Sequence, residues 1–124
     1  MLQRRPEYPT AAEAGLSEAN VVDYGNINLN LRPIVKGPNG EIYTIFSITI
    51  TEKYSDNTRV FTIIPTVSDD GAKLNDNQAN SLYAQTRRHL GRFSTLKDAN
   101  TYASFLSRRE GQKYRQQIKN NIIS

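Results

Sequence analysis

The sequence predicts an α+β domain: a three-stranded antiparallel sheet with two helices packed on one face. An extended N-terminal arm and a basic C-terminal tail flank it. Three observations carry this expectation. Apolar and polar residues alternate through Ile27–Leu31 and again through Glu41–Lys53, the period of a half-buried strand. Asn75 stands three residues before Gln78, ahead of Ala79, Leu82, Tyr83 and Thr86 at helical spacing. Thr95 and Asp98 stand in the same relation ahead of Ala99, Tyr102, Ala103 and Leu106.

Residues 1–24 read as the arm, with Pro6 and Pro9, little apolar content and no sustained period. A short helix over Ala11–Val22, with Ala12, Leu16 and Ala19 on one side, is weakened by Gly15. Such a segment cannot bury enough surface alone to offset its chain entropy. It is expected to order against a neighbouring subunit, and its removal to leave the fold intact.

Residues 25–110 read as the folded domain. Gly25–Val35 is expected as a strand, with Ile27, Leu29 and Leu31 on one face and Asn26, Asn28 and Asn30 on the other. Pro33 cannot donate to a ladder, so the strand is an edge or ends there. Gly37-Pro38-Asn39-Gly40 is a turn. Glu41–Lys53 is the clearest strand, with Ile42, Phe46, Ile48 and Ile50 on one face and Tyr43, Ser47, Thr49 and Thr51 on the other. A bend at Ser55-Asp56-Asn57 returns the chain as Arg59–Val67, so the pair is a hairpin, and Pro65 marks where pairing stops. Ser68-Asp69-Asp70-Gly71 is a polar turn. The first helix starts at Asn75 and is expected to end at Gly91. Arg92-Phe93 is then a linker whose Phe plugs the core. The second helix starts after Thr95, with an interruption at Gly111. Residues 111–124 form the tail, polar and basic, helical to about Lys119 and ending in Ile122-Ile123.

Composition narrows the chemistry. At 124 residues the chain is one domain's worth. It contains no Cys, which excludes disulfides and thiolate metal sites, and one His, which excludes a multi-histidine centre. Nothing approaches a membrane span in length, and Arg4-Arg5 is followed by Pro6-Glu7-Tyr8 rather than the apolar run of an export signal. The net charge of +4 is unevenly placed: Arg87–Lys119 holds nine basic and two acidic residues, +7, and the remainder seven basic and ten acidic, −3. Such asymmetry fits either a basic face for an acidic partner or a solvated helix surface.

No constellation for catalysis emerges. Asp69-Asp70-Gly71 lacks the spaced ligands of a calcium loop and reads as a turn. His89 has no nucleophile or orienting carboxylate in a recognisable motif, and is expected in the last turn of the first helix, beside free carbonyls. Phosphate loops, nucleophile elbows and metal spacings are absent from the sequence. The residues best suited to contact a partner are Arg4, Arg5 and Tyr8 in the arm, with Arg108, Arg109, Lys113, Tyr114, Arg115 and Lys119 in the basic region, because Tyr and Arg are favoured interface anchors.

Several motifs occur in a telling order. Gly25-Asn26-Ile27-Asn28-Leu29 leads to Arg32-Pro33-Ile34-Val35; Ile64-Pro65-Thr66-Val67 precedes Asp69-Asp70-Gly71; His89-Leu90-Gly91-Arg92-Phe93-Ser94-Thr95 leads to Ala99 and Tyr102-Ala103. Over about residues 25–106 this resembles a small domain of virion-associated proteins of tailed bacteriophages. The resemblance implies a non-enzymatic structural protein of the capsid, neck or tail, made in the host bacterial cytoplasm and present in many copies in a symmetric assembly. Its partners would be other virion proteins; no cofactor, metal, membrane or small-molecule substrate is implied. The run Leu90–Thr95 with Ala99 and Tyr102 is also similar to AP2-type and integrase arm-binding domains, which read DNA with a three-stranded sheet backed by one helix. That second resemblance implies a DNA-binding accessory protein using the basic 87–119 stretch. Its reading face would be Tyr43, Ser47, Thr49 and Thr51, which is poor in the cations that phosphate contacts need. A third expectation is a helper of an ejected cell-wall hydrolase, since related domains sit beside such modules.

Overall fold

The computed structural model describes residues 2–40 and 46–123, with side chains through residue 116. The architecture is α+β with four strands, not three: β1 (Val21–Tyr24), β2 (Ser47–Lys53), β3 (Arg59–Pro65) and β4 (Gly91–Phe93). Two helices, α1 (Asp76–Thr86) and α2 (Leu96–Ile123), complete it, with short 3-10 turns at Ala12–Ala14, Glu18–Asn20 and Leu29–Leu31. The sheet is antiparallel throughout, in the order β1-β4-β3-β2.

The expected hairpin is present. β2 and β3 pair without a break from Ser47↔Pro65 to Lys53↔Arg59. Tyr54 and Thr58 close the bend, and Asn57 takes a positive φ of 68° there. Of the expected longer strand, Glu41–Ile45 lie outside the described residues, Ile42 and Tyr43 among them. Pairing does not stop at Pro65 on the β2 side, where it faces Ser47 and Thr66 N–H goes on to the Phe46 carbonyl. It is on the β4 side that the ladder ends, after Ile63, so the missing N–H of Pro65 costs no bond there.

The expected strand over Gly25–Val35 is not formed. Asn28 accepts from the Asn30 N–H with its side chain at 3.0 Å and closes the turn Leu29–Leu31. This local bond competes with extension. Leu29 is then fully buried while Leu31 is 78% exposed, so the alternation does not describe one sheet face.

α1 starts as expected, with the reciprocal Asn75–Gln78 capping box at 2.8 and 2.9 Å. It ends at Arg87 rather than Gly91. Arg87 adopts a left-handed φ of 55° and donates its N–H to the Tyr83 carbonyl. Gly91 instead opens β4, and the expected linker Arg92-Phe93 is a strand wedged between β1 and β3. Phe93 is fully buried, as its role of core plug requires. α2 is capped by Thr95, whose hydroxyl accepts from the Asp98 N–H at 3.1 Å. It runs uninterrupted through Gly111 to Ile123, so residues 111–123 continue the helix instead of forming a separate tail.

The helices lie on opposite faces, correcting the expectation of one shared face. Ile63 packs with Phe93 and the α2 residues Ala99, Tyr102 and Leu106. Its neighbour Ile64 packs with the α1 residues Ala79 and Tyr83. Successive strand residues point to opposite faces, so the two clusters are separated by the sheet.

The N-terminal residues are not an extended arm. Tyr8, Ala11, Val21 and Tyr24 belong to the larger core, and Val21–Tyr24 supplies one edge of the sheet. Tyr8 donates to the Ile27 carbonyl at 2.9 Å, and Tyr102 donates to the Pro9 carbonyl at 2.7 Å. Both bonds satisfy phenolic hydroxyls within an apolar cluster.

Candidate partner-binding surface

The residues singled out for partner contact fall into three groups. Tyr8 and Tyr114 are core residues, 0% and 5% exposed, and Tyr114 donates to the Leu29 carbonyl at 3.2 Å. They are therefore withdrawn as surface anchors. Arg4, Arg5 and Lys113 hold the chain to itself. Arg4 Nη1 donates to the Tyr8 carbonyl at 2.7 Å, Arg5 pairs with Glu7 at 2.8 Å, and Lys113 donates to Asn30 Oδ1 at 3.2 Å. Arg109 is half-buried, with Nη1 enclosed and unpartnered. Arg108 and Arg115 remain exposed, while the Lys119 side chain lies outside the described residues. Lys113 and Tyr114 of the expected tail thus reach Asn30 and Leu29, while Tyr102, earlier in α2, reaches Pro9.

The motif segments are tied together in the same way. Asn26 donates its N–H to the His89 carbonyl at 3.1 Å, and His89 N–H returns to Asn26 Oδ1 at 2.8 Å. Arg32 is 7% exposed; its guanidinium donates to the Val67 carbonyl at 2.6 Å and to Asp69 at 2.9 Å. Arg88 also pairs with Asp69. Asp69 therefore joins Arg32 and Arg88.

His89 lies beyond α1, 2% exposed, and accepts the Gly91 N–H on Nδ1 at 3.1 Å. Burial, helped by the charge of Arg92, pushes its pKa down to about 4. The imidazole is thus neutral with its Nδ1 occupied by a backbone donor, an arrangement that orders the loop.

On the α1 face, Glu52 accepts from Thr62 at 2.7 Å and Tyr83 at 2.8 Å and pairs with Arg87 at 3.2 Å. Burial raises its pKa, but the Thr62 and Tyr83 bonds and the Arg87 charge outweigh that and hold it low. Arg92 donates to the Tyr83 hydroxyl at 2.5 Å and to Asp23 at 3.1 Å. Each charge in this network has a partner within the chain, and Asp23 and Arg92 also line an open pocket beside His89.

On the α2 face, the side chains of Ser47, Thr49 and Thr51 point toward α2, and Thr49 donates to Asn100 at 3.0 Å. An open groove of about 710 Å³ lies between β2 and α2, lined by Ser47, Thr49, Asn100, Ser104, Ser107 and Arg108 among others. Of the face expected to read DNA, Ser47 and Thr49 are partly covered by α2 and Thr51 is exposed, with Tyr43 outside the described residues. The groove was not foreseen because Asn100, Ser104 and Ser107 meet β2 only through the helix–sheet packing; their i, i+4 and i+7 spacing was the available signal.

Among the described residues no cluster of three or more His, Asp or Glu could hold a metal ion, and no helix is long and apolar enough to cross a membrane. No protein-family model, curated protein or solved structure matches this chain.

Proposed function

We propose that this chain is a non-enzymatic structural component of a tailed-phage particle that binds neighbouring virion proteins. The observation that carries this reading is the internal use of its motif residues. Asn26 with His89, and Arg32 with Val67 and Asp69, join the segments that bear the resemblance. These polar groups hold the motif segments together, which is the use expected of a scaffold. The arm-borne anchors Tyr8 and Tyr114 are taken up by the core, so the reading no longer rests on them. Binding falls instead to the exposed parts of the sheet and of α2.

Cryo-electron microscopy of the intact particle tests the reading. Density for this fold in regular contact with neighbouring subunits is the expected result. Recovery of the protein only in the free fraction, with none in purified particles, would overturn it.

A further inference from the structure

We infer that the outer edge of β2 receives an extended, acidic segment of a neighbouring protein as an added strand, seated beside the β2–α2 groove. The inference rests on the proposed role of the chain as a partner-binding module, and it names the surface and the chemistry of the partner.

The backbone defines the acceptor. Thr66 N–H donates to the Phe46 carbonyl at one end of the hairpin, and Tyr54 N–H donates to the Thr58 carbonyl at the other. In an antiparallel ladder, residues that exchange such bonds alternate with residues that do not. Ile48, Ile50 and Glu52 therefore face β3, and Ser47, Thr49 and Thr51 direct their N–H and C=O groups outward. Among the described residues no strand lies beyond β2 to receive them.

The two edges of the sheet differ in how they are guarded. β1 has four residues, a register break between Val21 and Asp23, and a charge at Asp23. Short length, irregularity and charge all discourage strand addition. β2 has seven residues in unbroken register, with no proline and no bulge, and its one outward charge is Lys53 at the last position. It offers a straight template about 20 Å long.

The groove selects the occupant. Alternate side chains of an added strand would enter the space in front of Ser104 and Ser107, whose small side chains leave room. Among the described residues Arg108 is the sole charged one lining that groove, at the Phe46 end of β2, and Lys53 stands at the opposite end. A strand carrying carboxylates meets a cation at both ends, and a carboxylate opposite Arg108 forms a charge-assisted bond. A second copy of this chain fits less well. Two-fold antiparallel pairing of β2 with β2 would bring Lys53 of one copy toward Arg108 of the other, cation against cation.

The test uses the full isotope-labelled chain and a capped nine-residue peptide of alternating Val and Glu, with a Val–Lys peptide of equal length as control. The expected result is a shift of the Ser47, Thr49 and Thr51 amide resonances, with slowed hydrogen exchange, on adding the acidic peptide. The basic peptide should bind at least tenfold more weakly. Thr49→Pro deletes an outward N–H without removing a bond to β3 and should weaken binding at least tenfold. Ser104→Trp, on the exposed face of α2, should do the same by filling the groove, and decides the matter if the proline variant does not fold. Absence of peptide binding, equal binding of both peptides, insensitivity to a folded variant, or a response of these amides to duplex DNA alone would each overturn the inference. Peptide binding is read on the isolated chain and particle association on the particle, so either reading can fail while the other stands.

Discussion

The ring of Tyr8 lies directly against Gly25: a Cβ on residue 25 would sit 2.3 Å from the Tyr8 ring. The hydroxyl of the same ring reaches past that glycine to the Ile27 carbonyl at 2.9 Å. One close approach thus anchors the N-terminal segment onto the first motif of the chain. Gly25→Ala should destabilise the protein by about 1–3 kcal/mol, the usual cost of forcing extra volume into a packed core. A chemical denaturation curve superimposable on that of the wild type would show that the ring can move aside freely.

The same contact reverses the expectation for truncation. Deleting residues 1–24 removes Tyr8, Ala11, Val21 and Tyr24 from the larger core and strips β1 from β4. The truncated chain should lose its cooperative thermal transition, followed by circular dichroism. A sharp transition near the wild-type temperature would restore the view of this segment as an appendage.

Glu110 is 1% exposed, its two carboxylate oxygens have no hydrogen-bond partner, and Lys113 stands 3.8 Å away. Burial raises its pKa, against the opposing charges of Lys113 and Arg109. The folded state therefore holds this proton more tightly than the unfolded chain, so the contribution of Glu110 to stability falls as pH rises above 4.5. Glu110→Gln should stabilise the protein at pH 7, on the order of 1 kcal/mol. The gain should shrink toward pH 4, where the carboxyl is protonated in both states. A loss of stability at pH 7 would mean the charge has a partner that matters.

His89 works in the opposite sense. Its folded pKa is pushed from 6.5 down to about 4, so between those values the unfolded chain binds the extra proton. Stability is lost as pH falls through that window, by up to about 3 kcal/mol from this residue. Titration of the imidazole Cε1–H resonance measures it directly. A midpoint near 6.5 would place the ring in water and contradict its burial.

Much of the local structure was legible in the residues themselves. The β2–β3 hairpin carries its alternation and its Asp56-Asn57 bend in consecutive positions. The Asn75–Gln78 box and the Thr95–Asp98 cap are local bonds between residues three apart. Such features need no distant partner. β4 escaped notice because three residues are too few to display a period, and its strand character comes from being held between β1 and β3. The Gly25–Val35 segment misled because its alternation was genuine while the Asn28–Asn30 bond turned the backbone.

The candidate surface was less legible still. Tyr8, Tyr114 and their basic neighbours had the composition of interface anchors, but composition does not distinguish an interface with another chain from packing within one. Burial turned both tyrosines inward, because an apolar ring with one hydroxyl is as well served by the Ile27 and Leu29 carbonyls as by a partner. By itself the sequence determined the α+β class, the hairpin and both helix starts, since each follows from period and capping within a few residues. The tertiary structure alone decided the sides of the sheet on which the helices lie, the fate of the N-terminal segment and the place of β2 at the end of the strand order. Those depend on contacts between residues up to 93 positions apart, as from Tyr102 to Pro9, and no local pattern encodes them.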